Sequence, residues 1–494
     1  MKNGFSNELY IKEQTEYILE RVSKFEKLYL EFGGKLFGDR HAARVLPGYD
    51  EDIKFTLFET LRDKLEVVIA IRALDIKTNK MNNNSGLTYE SECFKLIERF
   101  KEKNILVNSV VINRYYQDEN VDRFVSMLNA RKITTYLHED TAGYPVDVDM
   151  VLSDNGFGKH SYIKTTRQIV VVTAPGPGSG KMSTCLSQLY HEAKRGVKAG
   201  YAKFETFPVW NLPLKHEINL AYEAATADLN DINQIDPFHL QAYGEVAVNY
   251  NRDVENFPVL KRILDRIMGE GMYKSPTDMG VNRIASGIVD DGICREAARQ
   301  EIVRRYLLAN FEYKKSMLNG EELSRIRRLM DELGLKPEDR LSLKVARKRK
   351  ADMLKEGIHR NVTAIELDDG TIITGRESEL MDSAASAILN TLKVISSLPD
   401  ELHMIDPAVL EPILEMKRGF EKKSNTQLNL EEVLIALATS QLYNPSARIV
   451  IANLSKLSGL CGHSTSILPM VDYELFRKLN IDLTSDYEDS AKAI

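Results

Sequence analysis

The chain has 494 residues, of which 43% are hydrophobic and 28% are charged, a composition that predicts ordered globular domains. Its formal net charge of −6 at pH 7 argues against nucleic acid as a partner. The sequence has no apolar run long enough to cross a bilayer and no apolar signal core at its start, so we expect a cytoplasmic protein without a membrane partner.

The first third of the chain alternates between apolar runs and helical stripes. The runs predict strands at residues 27–32, 66–71, 107–112, 133–137 and 169–172. Apolar residues three and four apart predict helices between most of these strands. Strands that alternate with helices form a parallel sheet with both faces covered. The sequence therefore predicts an α/β domain over residues 1–213.

The centre of that domain is a strand, a glycine turn and a helix in succession, at residues 168–196. Three glycines and a lysine separate strand from helix in the string P-G-P-G-S-G-K. Glycines let backbone N–H groups approach an anion, and the start of a helix adds partial positive charge. We therefore predict a phosphate-binding turn that consists of Gly176, Gly178, Ser179, Gly180, Lys181, Ser183 and Thr184.

This string departs from two established phosphate-binding patterns. The P-loop pattern requires glycine at the place of Pro175 and serine or threonine at the place of Met182. In the dinucleotide-binding pattern G-x-G-x-x-G, the third glycine comes later than it does here. The competing interpretation is a glycine-rich connection whose lysine is simply exposed to solvent.

Charged residues also follow the other predicted strands, and parallel strands all end at one edge of their sheet. The loop after the first strand carries Lys35, Arg40 and Arg44, which we expect to bind a second anionic group. If the strand order brings this loop beside the glycine turn, the two loops border one cleft and share a ligand. A Mg²⁺ ion would need the acidic residues of the same set of loops, which include Asp39, Asp75, Asp140, Asp147 and Asp149. The alternative is that these loops are polar only because water surrounds them.

Helical patterns dominate the middle of the chain, where Pro258 is well placed to begin a helix. This pattern predicts a helical domain over residues 214–350. Asp369-Gly370, between two β-rich runs, predicts a hairpin, and residues 448–451 predict a short strand. Together with further helical stripes, they predict a C-terminal mixed α/β subdomain over residues 351–494.

Reactive or metal-binding side chains occur at two further places. Cys461 and His463 are only two residues apart, a spacing that rarely supplies a nucleophile and its base, so we expect no thiol catalysis. His463, Ser464 and Thr465 are interpreted instead as ligand-binding or helix-capping residues. Asp290-Asp291 is predicted to cap the next helix, with a Mg²⁺-binding strand end as the alternative. The spacing of the four cysteines indicates neither a disulfide framework nor a structural zinc site.

Three strings of this sequence resemble those of a known family. They are T-A-P-G-P-G-S-G-K-M-S-T-C-L-S-Q-L-Y-H-E, S-P-T-D-M-G-V-N and G-H-S-T-S. From residue 33 to about residue 484, the chain resembles the bacterial family called domain of unknown function 1846. The resemblance implies an N-terminal α/β region, a helical region and a C-terminal α/β subdomain. Some members are labelled ATP-dependent peptidases, but this sequence has no H-E-x-x-H motif and no nucleophile elbow, so we expect no peptidase.

These patterns lead us to expect an enzyme that acts on a phosphorylated small molecule, with Mg²⁺ and a nucleotide such as ATP as cofactors. Two alternatives stay open at this point. The same cleft would serve a non-catalytic regulatory protein that senses a phosphometabolite or nucleotide. The second alternative is a homo-oligomeric scaffold without small-molecule chemistry. Under each of these three interpretations, we expect the chain to form a homo-oligomer. The sequence identifies neither catalytic residues nor metal ligands.

Overall fold

The computed structural model describes residues 3–82, 85–315, 317–318, 320–420 and 427–487. The chain divides into two compact units, residues 2–298 and residues 299–494. Each unit contains β-sheet together with α-helices, which confirms the predicted α/β fold class. The predicted division into three domains stays a prediction. Within the described ranges, no helix is long and apolar enough to cross a membrane.

A parallel six-stranded sheet forms the core of the first unit. It lies in the order β4-β3-β2-β5-β1-β6, and every adjacent pair of strands is parallel. β5 has the sequence I-V-V-V-T with all five residues buried, because helices cover both faces of the sheet. All six carboxyl ends therefore lie on one edge. The strands are β1 (Lys27–Phe32), β2 (Leu65–Arg72), β3 (Leu106–Asn113), β4 (Thr134–His138), β5 (Ile169–Thr173) and β6 (Ala199–Phe204).

Helices and a small antiparallel sheet surround this core. The small sheet pairs β7 (Asn233–Ile235) with β8 (Val248–Tyr250). The helices are α1 (Asn7–Val22), α2 (Arg40–Val45), α3 (Ile53–Leu61), α4 (Ala73–Lys77), α5 (Tyr89–Glu102), α6 (Glu119–Ala130), α7 (Val148–Val151), α8 (Lys181–Lys194), α9 (Glu217–Ala225), α10 (Pro237–Tyr243), α11 (Asn251–Met268) and α12 (Pro276–Met279). The next helix, α13 (Asp291–Lys314), begins in the first unit and continues into the second.

The prediction that Pro258 begins a helix is wrong, because α11 begins seven residues earlier and contains Pro258 in its interior. The missing N–H of Pro258 costs the helix one backbone hydrogen bond. Val254 and Phe257 precede the proline and are buried, as are Leu260 and Ile263 after it. The apolar stripe is therefore continuous across the proline, and its packing outweighs the lost bond.

The second unit has a four-stranded sheet in the order β10-β9-β11-β12. β9 and β10 form the antiparallel hairpin that Asp369-Gly370 predicts. Its strands are β9 (Val362–Glu366), β10 (Ile372–Arg376), β11 (Cys461–Ser464) and β12 (Asp482–Ser485). Its helices, after α13, are α14 (Gly320–Leu333), α15 (Leu341–Lys355), α16 (Ser383–Ile395), α17 (Pro407–Phe420), α18 (Leu430–Ser440), α19 (Pro445–Ala452) and α20 (Met470–Lys478).

The strand predicted at residues 448–451 is wrong, because these residues lie in α19. Asn444 caps this helix by accepting a hydrogen bond from the amide of Ser446, and Pro445 occupies its first turn. Ala447 and Val450, three residues apart, form its buried side. The apolar run is too short for its period to distinguish a strand from a helix, whereas the Asn-Pro start is a helix signal.

A buried ion pair fixes the loop after β1. Lys54 on α3 is fully buried, and its Nζ lies 2.5 Å from Asp39 Oδ2 and 2.9 Å from the carbonyl oxygen of Lys35. Asp39 also caps α2 by accepting a hydrogen bond from the amide of Ala42. Burial alone would raise the pKa of Asp39, but the charge and the hydrogen bond of Lys54 lower it. The loop that carries Lys35 is thereby tied to α3.

We predict that Lys54→Met lowers the free energy of unfolding of the first unit by roughly 3–5 kcal/mol, because it leaves the charge of Asp39 buried without its partner. Urea unfolding followed by the fluorescence of Trp210, the only tryptophan of the chain, measures this unit. Lys103→Met is the matched control, since the pair of Lys103 with Glu59 is about half exposed and is worth at most about 1 kcal/mol. Equal effects of the two substitutions would contradict the importance of the buried pair.

Candidate functional site

The strand order creates a crevice at the carboxyl edge of the six-stranded sheet. From β2 the chain continues to β3 on one side, and from β5 it continues to β6 on the other side. Because β2 and β5 are adjacent, the connections that follow them leave in opposite directions, and the gap between the two connections is the crevice. Open α/β sheets bind ligands at such points. The glycine turn lies at this crevice, since it directly follows β5.

At two positions of the turn, glycine adopts a backbone conformation that other residues disfavour. Gly178 has φ +74° and Gly180 has φ +86°, in the left-handed region that side chains disfavour. Ser179, between them, is 1% exposed, and its hydroxyl donates a hydrogen bond of 2.7 Å to the carbonyl oxygen of Gly176. Gly178 is exposed at the tip. The predicted residues of the turn therefore form one compact loop that presents its backbone at the tip.

Asn113, the last residue of β3, holds this loop from across β2. Its Nδ2 lies 2.9 Å from the carbonyl oxygen of Ser179, 3.3 Å from that of Gly180 and 3.0 Å from the hydroxyl oxygen of Thr184. Thr184 is fully buried and also donates to the carbonyl oxygen of Gly180 at 3.0 Å. Thr184 is therefore engaged inside the protein, whereas Ser183 in the first turn of α8 stays partly exposed.

The start of α8 is electropositive. Gly180 precedes the helix without a side-chain cap, and the first turn contains no acidic residue. The amides of the first turn have no partner within the helix, so they add partial positive charge to that of Lys181. The Lys181 side chain is partly exposed and forms neither a salt bridge nor a hydrogen bond with any residue that the structure describes.

Arg72 is a second cation at the crevice and is not among the site residues predicted from the sequence. It ends β2, where it pairs in register with Asn113. Val68 and Ala70 pack in the same buried cluster as Cys185 of α8, so the alternation along the strand places Arg72 on the face that α8 covers. Its Nε is buried without a hydrogen-bond partner in the described part of the chain. The only sequence signal for Arg72 is that a basic residue directly follows an apolar run. That signal indicates a position at the crevice only once the strand order is known.

The predicted cationic loop after β1 lies on the same edge, because β1 pairs with β5. Lys35 is exposed in this loop. Arg40 and Arg44 are on α2, whose His41 ring packs 5.3 Å from Phe207 and 5.2 Å from Tyr222 of α9. The strand order thus puts the Lys35 loop next to the glycine turn. Arg40 and Arg44 instead lie on α2, which packs against α9. Their shared ligand stays a prediction.

The acidic residues from which a Mg²⁺ site was predicted have protein partners. Asp39 pairs with Lys54, Asp75 with Lys80 at 3.3 Å, and Asp140 with Arg114 at 3.0 Å. Asp149 pairs with Arg266, and Asp147 caps α7. Among the residues described, no group of three or more His, Cys, Asp or Glu side chains is arranged to hold a metal ion.

A cavity of about 650 Å³ opens elsewhere in the first unit. Glu13, Glu16 and Glu20 line one side of it. Arg283 also lines it, with its guanidinium 3.6 Å from the centre of the Tyr17 ring. Three carboxylates repel an anion, and the one arginine is already stacked on an aromatic ring. This cavity is therefore not the better place for a phosphate.

The cysteine and histidine of the second unit lie within its sheet. Burial raises the pKa of the Cys461 thiol to about 11. Nδ1 of His463 lies 2.8 Å from the Thr484 hydroxyl, and the Thr465 hydroxyl accepts a hydrogen bond from the amide of Val362. His463 and Thr465 therefore hold strands together, and neither caps a helix in the part of the chain that the structure describes. In the first unit, Asp290 accepts a hydrogen bond from the amide of Ile293, which is the predicted capping role.

The chain is similar to two family models that together cover nearly all of it. Residues 3–334 match the N-terminal model described as domain of unknown function DUF1846, and residues 338–493 match its C-terminal model. A UPF0371 protein of Clostridium tetani is 52% identical over 499 residues, which cover 100% of this chain and 99% of that protein. UPF0371 proteins of Fusobacterium nucleatum and Clostridium botulinum are each 52% identical, over 98% and 99% of this chain and 98% of each relative. The resemblance seen in the sequence is confirmed.

We predict that the native thiols are unreactive at neutral pH, because the thiolate is the reactive form. Cys93, Cys185 and Cys294 are buried, and burial raises the pKa of all four thiols. Titration with a chromogenic disulfide at pH 7.5 should detect no thiol within minutes in the native protein and four in denaturant. Rapid modification of Cys461 in the folded protein would reopen thiol chemistry.

We also predict that Gly180→Ala destabilises the first unit more than Gly178→Ala. Both substitutions place a side chain at positive φ, at a cost of roughly 1–2 kcal/mol each. A Cβ at Gly180 would in addition lie 2.7–2.9 Å from the side chain of Asn113, whereas a Cβ at Gly178 meets nothing within 4 Å. Unfolding monitored by Trp210 fluorescence compares them, and equal destabilisation would show that Asn113 does not hold the turn.

Proposed function

The chain belongs to the family described as domain of unknown function DUF1846, and we propose that it binds a phosphorylated small molecule at the carboxyl edge of its parallel sheet. One observation carries this proposal. Within the described residues, neither the Lys181 side chain nor the Nε group of Arg72 has a hydrogen-bond partner, and both accompany an uncapped helix start at the point where β2 and β5 diverge.

The chemistry of this arrangement matches a phosphate group. A phosphate monoester has a charge of about −1.5 to −2 at pH 7 and three strong acceptor oxygens. The backbone amides at the start of α8 donate to such oxygens, and the helix dipole favours negative charge there. A guanidinium binds two phosphate oxygens at once, and a lysine adds a mobile charge. Lys181 and Arg72 supply one group of each kind.

The conformation of the turn does not depend on Lys181. Asn113 and the hydroxyl of Ser179 fix the loop through contacts with its carbonyl oxygens. Removing the Lys181 side chain therefore takes away charge without removing a support of the fold. This separation favours a role in binding for Lys181 over a structural role.

Binding of this kind serves an enzyme or a sensor. Electrostatic positioning carries most of the catalysis in phosphoryl transfer, so an enzyme that acts on the bound phosphate is the extension that we favour. Release of phosphate from ATP, with and without Mg²⁺, distinguishes it from a regulatory protein that only binds. Loss of that turnover in Lys181→Gln would assign the reaction to this site.

We predict that Lys181→Gln and Arg72→Gln each weaken the binding of inorganic phosphate and of ATP by roughly tenfold to a hundredfold, as expected for a charge-assisted hydrogen bond worth about 1.5–3 kcal/mol. Isothermal titration at low salt measures the dissociation constants. Lys194→Gln is the matched control, because Lys194 lies in the last turn of the same helix. The proposal fails if neither compound binds the unmodified protein at millimolar concentration, or if Lys181→Gln behaves like the control.

A further inference from the structure

Carboxylates gather at the carboxyl ends of β1 and β6, beside the proposed phosphate site. Lys203 of β6 is central to this group, with its Nζ 2.6 Å from Asp253 Oδ2 and 3.2 Å from Glu205 Oε2. The group contains four acids and two bases, which are Glu31, Glu205, Asp231, Asp253, Lys203 and Arg252. Acids outnumber bases here, whereas cations dominate at the start of α8.

Glu205 is the member of this group that extends towards the glycine turn. A Cβ at Gly33 would lie 2.6 Å from its Cγ and 2.7 Å from its Oε1. The Glu205 side chain therefore lies over β1, in space that a glycine leaves open. Since β1 is next to β5, this carboxylate is about one strand spacing, roughly 4.8 Å, from the line of β5.

One oxygen of Glu205 is available to a ligand. Lys203 holds Oε2, and Oε1 has no hydrogen-bond donor within the described part of the chain. The side chain is 25% exposed. Glu31 differs, because it is buried and the hydroxyl of Tyr201 already donates to it at 2.5 Å. Glu205 is thus the carboxylate that a bound molecule can reach.

The hydroxyl group of Tyr250 is a second, independent feature of this place. Tyr250 is only 2% exposed, and its hydroxyl has no hydrogen-bond partner among the residues described. Burial raises its pKa, and the charges of Glu205, Asp231 and Asp253 raise it further. The phenol therefore stays protonated and lies among these carboxylates with a proton to donate.

We propose that Glu205 binds a hydroxyl group of the phosphorylated ligand, so that the ligand is a sugar phosphate. The proposal rests on the phosphate site at the glycine turn. A hydroxyl donates to Oε1 of Glu205 and accepts from a donor such as Tyr250, whereas an ammonium group only donates. Because Glu205 lies over β1, its carboxylate is one to two strand spacings, about 5–10 Å, from the crevice between β2 and β5, a span that a phosphorylated sugar can bridge and inorganic phosphate cannot.

Affinities for three phosphate monoesters test this proposal, namely ethyl phosphate, ribose 5-phosphate and AMP. Burial raises the pKa of Glu205 to about 7, against the opposing charge of Lys203, so titrations at pH 8 keep the carboxylate ionised. The unmodified protein should bind ribose 5-phosphate at least roughly tenfold more tightly than ethyl phosphate, since charge-assisted hydrogen bonds are strong. Glu205→Gln should abolish that preference and leave the affinity for ethyl phosphate within about twofold.

Two variants and one alternative variant complete the design. Lys181→Gln should weaken the binding of all three esters together, because each contains the phosphate. Asp265→Asn is the matched control on α11, where the carboxylate of Asp265 pairs with Lys261, and it should change neither affinity nor preference. If Glu205→Gln does not fold, Tyr250→Phe keeps the aromatic ring and should still reduce the preference for ribose 5-phosphate.

The outcomes separate this proposal from the one on which it rests. Equal binding of ethyl phosphate and ribose 5-phosphate, still dependent on Lys181, would overturn the role of Glu205 and leave the phosphate site intact. Binding of none of the esters would overturn both proposals. Given the predicted preference, tighter binding of AMP than of ribose 5-phosphate would identify a nucleotide as the source of the sugar phosphate, and the reverse would identify a free sugar phosphate.

Discussion

One buried amide, the side chain of Asn113, links the sheet to the glycine turn. It reaches from the end of β3 across β2 to two carbonyl oxygens of the turn and to the hydroxyl of Thr184 in α8. Leaving buried acceptors without a partner costs about 1–3 kcal/mol each, so these contacts strongly favour one conformation of the loop. A loop that is ordered before binding loses little entropy when a ligand arrives. The start of α8 is therefore preorganised by the protein itself, which leaves Lys181 and Arg72 for a ligand.

The carboxyl edge of the sheet is electrically divided along the strand order. Cations accompany β2 and β5, whereas acids outnumber bases in the group around Lys203 at the ends of β1 and β6, beside the Lys35 loop that also follows β1. An anion is favoured at the first place, and a hydrogen-bond donor is favoured at the second. Gly33 connects the two places, because the space beside it lets Glu205 lie over β1. The division accounts for a ligand with a phosphate at one end and hydroxyl groups at the other.

Sequence patterns predicted the fold of this chain better than its site. The β-branched run of β5 and the spacing of Asp369-Gly370 are local signals, and the structure confirms both the strand and the hairpin. Glu205 has no local signal, and Arg72 has only that of a basic residue after an apolar run, since each acquires its surroundings from strands that are distant in the sequence. The pair of Lys54 with Asp39 escaped prediction for the same reason. Thr184 shows the opposite case. Its position after the glycine turn predicts a contact with phosphate, but its hydroxyl group is already hydrogen-bonded to Asn113 inside the protein.

Hydrogen–deuterium exchange with mass spectrometry tests the central claim most directly, because it reports on the backbone amides that would hold a phosphate. The measurement compares the protein with and without saturating ATP. We expect slower exchange in the peptide that covers residues 174–184, and no change in the hairpin peptide of residues 361–376, which belongs to the other unit. Unchanged exchange at residues 174–184 under conditions where titration shows ATP bound would contradict the claim, since the phosphate would then lie elsewhere.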